Sequence, residues 1–303
     1  MSQIRKPNFL YIGPNKAAST WIYEALRSHP EVYVPEAKDL HYFDLYYDQG
    51  PDWYFGHFKA ATDAQKMVGD ISHDYMYSEE ACRRIEKDLG RVPMIVSLRD
   101  PIDRAFSEYL YMIKQGYVRG TFEEAIEQVP SILDHSMYGK HLLRYKETFG
   151  ADALLFTDFG RLKTDASGFY MSLCESLGIS QVLPENFNSG EVLSAAAPRN
   201  AVAARFAKKA AMFMRRRGWA TQIKKVKSFG WLQKALYRPY KQGEKPMISA
   251  EATERLKDRF RADVELLDSE FNLEFGAIWG YATAARPQAE TVDGPGSGRG
   301  SLN

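Results

Sequence analysis

The sequence predicts an α/β protein, with a parallel sheet covered by helices on both faces. Apolar runs of strand length alternate with stretches of helical period, and two strand-to-helix junctions carry a cation in the connecting loop. The predicted strands are 9–12, 32–34, 67–71, 94–98 and 153–157. The predicted helices are 19–28, 79–88, 101–115, 121–128, 138–148, 166–177, 200–217 and 249–270.

The first strand is the run Phe9-Leu-Tyr-Ile12, the length of a buried parallel strand. Gly13-Pro14-Asn15 breaks it, and Ser19 or Thr20 is expected to cap the helix that carries Trp21, Ala25 and Leu26. Backbone N–H groups at a helix N-terminus carry partial positive charge, and Lys16 adds a full one, so the loop is a phosphate-sized anion site. The second junction is Pro93-Met-Ile-Val-Ser-Leu98, with Arg99 at the strand tip. Pro101 then opens a helix bearing Arg104, Ser107 and Tyr109. Arg99 and Ser107, two turns apart, form a candidate second anion site at the same sheet edge, the usual ligand edge of open α/β sheets. Further along, Asp165, Phe169, Leu173 and Leu177 keep the helical period, and Gly178 is a stop signal.

Nucleoside-triphosphate hydrolysis fits poorly. The triphosphate loop reads G-x-x-x-x-G-K-[ST], whereas here Ala18 stands five residues after Gly13 and Lys16 precedes Ala-Ala-Ser-Thr. Two separated anion sites instead suit a nucleotide phosphorylated at two positions.

At these residues the chain resembles the sulfotransferases that use 3′-phosphoadenosine 5′-phosphosulfate (PAPS). Lys16-Ala17-Ala18-Ser19-Thr20-Trp21 is similar to the family's Lys-x-Gly-Thr/Ser-Thr-x loop, with Ala18 replacing the Gly. Arg99-Asp-Pro-Ile-Asp-Arg-Ala-Phe-Ser-Glu-Tyr109 matches each fixed position of its R-x-x-x-x-R-A-x-S-x-Y block. His29-Pro30, Lys38-Asp-Leu-His-Tyr-Phe-Asp44, Asp52-Trp-Tyr54 and the stretch Gly69 to Tyr77 resemble the heparan sulfate and glycan-sulfating branch. Lys245-Pro-Met and the later Leu256, Phe260, Asp263 and Trp279 resemble its closing helix. The likeness spans roughly 7–281 and is weakest between about 185 and 245.

The resemblance implies a P-loop-like three-layer α/β/α sandwich, the sulfotransferase fold. It implies PAPS as co-substrate, no metal, and transfer of a sulfuryl group to a hydroxyl of a carbohydrate, glycolipid or secondary metabolite. A relative that binds such nucleotides or anionic surfaces without catalysis is the alternative. Lys16 takes the leaving-group oxygen; Ala17, Ala18, Ser19, Thr20 and Trp21 complete the 5′-side loop; Arg99 and Ser107 take the 3′-phosphate. Arg104 is expected to fix its helix locally. The matching base position is Asp39, where the glycan branch has Glu, with His73 its main rival and Asp74 a third candidate. His41, Tyr42 and Phe43 are expected to shape the acceptor pocket. The glycan enzymes carry a Lys where this chain has Ile71, and Lys38 is the candidate replacement.

The 303 residues are 45% hydrophobic, ample for a single core-forming domain over 1–283 followed by a disordered tail at 284–303. Cys82 and Cys174 are the only cysteines, in unrelated contexts, so neither a disulfide framework nor structural zinc is expected. With no apolar leader, the expectation is a cytoplasmic protein, and the contrast with membrane-anchored animal relatives suggests a bacterial origin. The net charge of +1 hides an asymmetry. Residues 199–245 hold fourteen Lys and Arg against Glu244 alone, a net +13 that leaves −12 elsewhere. Interleaved with Phe206, Phe213, Trp219 and Trp231, this basic segment is expected to be a variable helical cover over the site. Peripheral membrane or anionic-polymer contact is the other expectation. No nucleic-acid fold signature accompanies it.

Overall fold

The computed structural model describes residues 4–184, 197–198, 237–238, 244 and 246–281. Its centre is a sheet of five strands: β1 (Phe9–Tyr11), β2 (Val32–Tyr33), β3 (Met67–Ile71), β4 (Met94–Leu98) and β5 (Leu154–Asp158). All run parallel in the order β2-β3-β1-β4-β5. The chain passes from β3 across β1 to β4, so the loops leaving β3, β1 and β4 lie side by side at the carboxyl edge. That reversal of strand order is where open α/β sheets form their binding crevice.

Eleven helices surround the sheet among the described residues: α1 (Ser19–Arg27), α2 (Pro51–Gly56), α3 (Glu79–Leu89), α4 (Pro101–Lys114), α5 (Phe122–Gln128), α6 (Ser131–Asp134), α7 (Tyr138–Phe149), α8 (Phe159–Thr164), α9 (Ala166–Ser176), α10 (Ala250–Phe271) and α11 (Phe275–Trp279). Strand alternation decides which face each β1 side chain takes. Phe9 and Tyr11 pack with Ile22, Leu26, Phe169 and Leu173 of α1 and α9. Leu10 and Ile12 pack on the opposite face with Ile85, Leu142, Tyr145 and Leu267 of α3, α7 and α10. A third cluster joins α4, α5, α6 and α10. Gly69 is required where β3 passes β1, since a Cβ there would stand 2.1 Å from the Phe9 ring.

Each predicted strand and helix that falls in the described residues is found, with every boundary within one residue of its expected place. Strand β5 starts one residue later than expected and ends at Asp158, whose carboxylate caps α8 through the Arg161 N–H at 3.1 Å. Helices α2, α6, α8 and α11, each six residues or fewer, were not expected from periodicity, which needs longer windows. The expected cap from Ser19 or Thr20 is corrected. Ala18 is the N-cap of α1, in the left-handed region and without a side-chain cap, so Ser19 is the first helical residue. The predicted helix 200–217 and the tail 284–303 lie outside the described residues, as does most of 199–245. Of that segment, Tyr237–Arg238 pairs antiparallel with Ala197–Pro198, and Arg238 meets Glu244 at 2.5 Å.

Candidate active site

The first anion loop folds around a phenol. The buried Tyr11 hydroxyl lies 3.1 Å from the Pro14 carbonyl and 3.2 Å from that of Ala17, holding the loop from beneath. Asp74 accepts from the Asn15 backbone N–H at 2.9 Å, and its own N–H donates to the Gly13 carbonyl at 2.9 Å. Lys16 and Ala18 both adopt left-handed backbone, at φ 65° and 69°. The Gly13, Pro14 and Ala17 carbonyls are thus occupied. Asn15 and Lys16 form a hydrogen-bonded turn, and among the described residues the backbone N–H groups of 18 to 20 at the start of α1 find no protein acceptor. A run of unsatisfied amides in alternating conformation at a helix start is an anion cradle.

Lys16 rests its ammonium over the Tyr111 ring of α4, 4.5 Å from the centroid. Burial lowers its proton affinity, and Glu108 opposes this. Glu108 is itself buried, which raises its carboxyl against the pull of Arg104 and Lys16, and its Oε2 has no hydrogen-bond partner. Sequence reasoning passed over Glu108. The signal was present, because Arg104, Glu108 and Tyr111 follow the i, i+4, i+7 spacing of one helix face.

Arg99 and Lys16 meet directly: the Arg99 guanidinium makes a long contact, 3.5 Å, to the Lys16 carbonyl. It is also held by Asp103 at 3.1 Å, the ion pair that would give it a purely local role, and lies over the Phe159 ring at 4.9 Å. Its Nε is buried without a partner. No described bond joins Arg99 to Ser107, which lies half-buried on α4. Arg104 does more than fix its own helix. Fully buried, it donates to Ser136 Oγ at 2.7 Å, to Asn15 Oδ1 at 3.2 Å and to the Ile132 carbonyl, tying α4 to α6 and to the anion loop. Trp21 packs edge-on against Phe169 and Tyr170 of α9, at 5.5 and 6.3 Å, so it belongs to the core facing α1.

Across the crevice, the turn 38–41 lies against the end of β3. The Asp39 N–H donates to the Ile71 carbonyl at 3.1 Å. The His41 N–H donates to Ser72 Oγ at 3.1 Å, and Ser72 donates to Asp70 at 2.7 Å. Asp70 also accepts from Tyr75 at 3.0 Å and Tyr54 at 3.2 Å; burial nevertheless pushes its carboxyl up to about 6. This buried network positions the turn. Sequence reasoning gave Asp70 no role, since a lone acid inside a strand does not announce its partners.

Lys38 joins the two halves. Its ammonium lies 3.3 Å from Ser19 Oγ of the anion loop and 2.5 Å from Asp39 Oδ1. It therefore places one cation between the anion loop and Asp39. His73 Nε2 is 3.9 Å from the same Asp39 oxygen, and His73 Nδ1 is 2.6 Å from Asp74. The three base candidates are thus one connected group. Burial would raise the Asp39 carboxyl, but Lys38, His73 and His41 together hold it well below the usual carboxylate range. Burial lowers His73, yet Asp74 and Asp39 outweigh it and leave the imidazole raised. Asp74 is held down to about 2, its burial overcome chiefly by His73. Of six non-glycine residues with positive φ among the described residues, five (Lys16, Ala18, Asp39, His41 and Asp74) belong to this site. Such clustering of backbone strain is typical of functional centres.

The sulfotransferase domain family model matches residues 6–219. A membrane-associated sulfotransferase kil1 of Dictyostelium discoideum is 30% identical over 151 residues, 47% of this chain and 32% of that protein. Human heparan sulfate glucosamine 3-O-sulfotransferase 3B1 is 28% identical over 188 residues, 59% of this chain and 48% of that protein. The chain thus spans half or less of the length of these two relatives. Among solved structures, a sulfotransferase from Alicyclobacillus acidocaldarius superposes with a TM-score of 0.66 at 17% identity, covering 91% of this chain and all of that one, which shows a shared fold. Among the described residues, no helix is long and apolar enough to cross a membrane. The strand-loop-helix cradle, the arginine-bearing helix beside it and the matched family model agree: the chain belongs to the sulfotransferase domain family.

Proposed function

We propose that this protein transfers a sulfuryl group from PAPS to a carbohydrate hydroxyl and releases the 3′,5′-bisphosphate product. The observation that carries this reading is Lys38, whose ammonium touches both Ser19 of the anion loop and Asp39 across the crevice. One side chain therefore spans the gap between the phosphosulfate cradle and the proton acceptor. The carbohydrate acceptor rests on the heparan sulfate named in the human relative's description.

In this mechanism the amides of 18–20, with Ser19 and Thr20, hold the 5′-phosphosulfate, and the unpartnered Arg99 Nε with Ser107 holds the 3′-phosphate. The acceptor hydroxyl attacks sulfur. A new oxygen–sulfur bond forms, the bond from sulfur to the bridging phosphate oxygen breaks, and the hydroxyl proton passes to Asp39. Lys16 leaves Tyr111 to neutralise the charge arriving on the departing phosphate. Asp39 is a weak base while Lys38 holds it. When Lys38 turns to the sulfuryl oxygens, loss of the adjacent positive charge raises the proton affinity of Asp39. His73, anchored by Asp74 through Nδ1, orients the carboxylate. Positioning and electrostatics dominate such transfers.

The cytoplasmic setting is supported by two buried free cysteines. Peripheral membrane contact through 199–245 is supported by its +13 charge and by the membrane association named for the Dictyostelium relative. Incubation with labelled PAPS and a panel of oligosaccharides tests the function, comparing wild type with Lys16→Ala. Labelled sulfate on an acceptor, lost in the variant, is the expected result. Nucleotide binding with no transfer to any acceptor would leave a non-catalytic binding protein.

A further inference from the structure

We propose that Asp39, His41 and His73 form a binding site for a borderline divalent cation such as Zn2+ on the acceptor side of the crevice. Each contributes one ligand-type atom, and these atoms all lie within 4.8 Å of one another. The His73 Nε2 to Asp39 Oδ1 separation is already 3.9 Å. Tetrahedral zinc with bonds near 2.0–2.1 Å needs ligand atoms about 3.3 Å apart, so small side-chain rotations close the set.

Three in-range ligands alone are a weak signal; the orientation of both imidazoles is the stronger one. His73 Nδ1 is 2.6 Å from Asp74 Oδ2, and His41 Nδ1 is 3.3 Å from Asp44 Oδ2. Each ring is thus held by a carboxylate at Nδ1, which keeps a proton on that nitrogen, and the metal takes Nε2 with release of any proton there. This carboxylate–histidine pairing is the outer-sphere arrangement of zinc sites. The rings meet edge to face with centroids 4.9 Å apart, and the His41 backbone is held by its N–H bond to Ser72. Two imidazoles and one carboxylate suit zinc and its neighbours over magnesium or calcium, which favour oxygen. Three protein ligands leave a fourth position open to water or an acceptor hydroxyl.

Lys38 competes for this site, because its ammonium already holds Asp39 Oδ1 at 2.5 Å. Metal binding therefore displaces Lys38 and removes Asp39 from the acceptor proton. On the reading of Asp39 as base, the cation is a reversible inhibitor of transfer that competes with acceptor; binding itself does not depend on that reading.

The test uses chelator-treated full-length protein titrated with Zn2+ by calorimetry and with Co2+ by visible absorption. One equivalent bound with a tetrahedral-type Co2+ spectrum is expected. His73→Gln and His41→Gln each weaken binding at least tenfold. Asp44→Asn, outside the transfer machinery, weakens it about 10- to 100-fold through the lost outer-sphere bond. Lys38→Met tightens it by removing the competing cation, a readout that survives if either histidine variant fails to fold. Absence of saturable binding overturns the proposal, as does binding unchanged by Asp44→Asn and Lys38→Met. PAP affinity measured on the same samples separates the two readings: a protein that binds PAP and transfers sulfate but takes up no metal keeps its function and loses this site.

Discussion

His73 Nε2 lies 3.9 Å from Asp39 Oδ1, while the opposite ring nitrogen holds Asp74 at 2.6 Å. Residues that the sequence presented as rival bases are therefore links of one chain. Asp39→Asn should lower transfer about 10²- to 10⁴-fold, the usual span for general base catalysis, with PAP affinity unchanged. His73→Gln should lower it less, because the ring orients the carboxylate rather than taking the proton. Single-turnover rates decide; a larger loss for His73→Gln would give the proton to the imidazole.

Lys16→Ala should reduce kcat about 10²- to 10³-fold by removing the cation at the leaving oxygen. Glu108→Gln should leave the lysine in place but raise PAP affinity, since a buried acid beside the anion site is then neutral. Transfer kinetics and equilibrium PAP binding on both variants check this pair.

Asp103 restrains Arg99 through a 3.1 Å ion pair and is exposed to solvent. With Asp103 in solvent the pair is screened and contributes on the order of 1 kcal/mol or less. Asp103→Ala should accordingly strengthen binding of the 3′-phosphorylated nucleotide roughly two- to fivefold. Affinity for adenosine 5′-phosphosulfate, which has no 3′-phosphate, should not move. Equal gains for both nucleotides would place Arg99 elsewhere.

Ala18 carries left-handed backbone at φ 69°, which costs a residue with a Cβ about 1–2 kcal/mol. Glycine removes that strain and restores unfolded-chain freedom worth about 0.4–1 kcal/mol. The strain is the larger of the two, so Ala18→Gly should stabilise the protein by up to about 1.6 kcal/mol in denaturant unfolding. A destabilised variant would mean that the loop is not strained at this residue.

Asp70 sets a pH dependence of stability. Its folded-state carboxyl is raised to about 6 from 3.8, so between those values the folded state holds a proton that the unfolded chain has released. Stability should fall as pH rises from about 4 to about 6, by about 3 kcal/mol from this group. Asp74 acts in the opposite direction and lower down. Its folded value of about 2 contributes stability above pH 4 that is lost as pH falls toward 2. Urea midpoints across this range should show the Asp70 decline, and Asp70→Asn should flatten it.

The sheet and both cation-bearing loops were legible because each is written in consecutive residues. The runs ending at Ile12 and Leu98, and Lys16 and Arg99 at the loops that follow, need no partner from elsewhere in the chain to be recognised. The short helices escaped because six residues or fewer carry too little periodicity, and α1 begins without a side-chain cap.

What the sequence determined by itself, then, was the alternating α/β architecture, the two cation-bearing strand tips and the family they resemble. The tertiary structure decided how these groups act on one another. It joined Lys38 to both Ser19 and Asp39, coupled Asp39 through His73 to Asp74, and set Glu108 within reach of Lys16. The reason is physical: periodicity and propensity are local, whereas burial, ion pairing and proton affinity depend on distances between residues far apart in the chain. Only the folding of three strand ends to one edge of the sheet sets those distances.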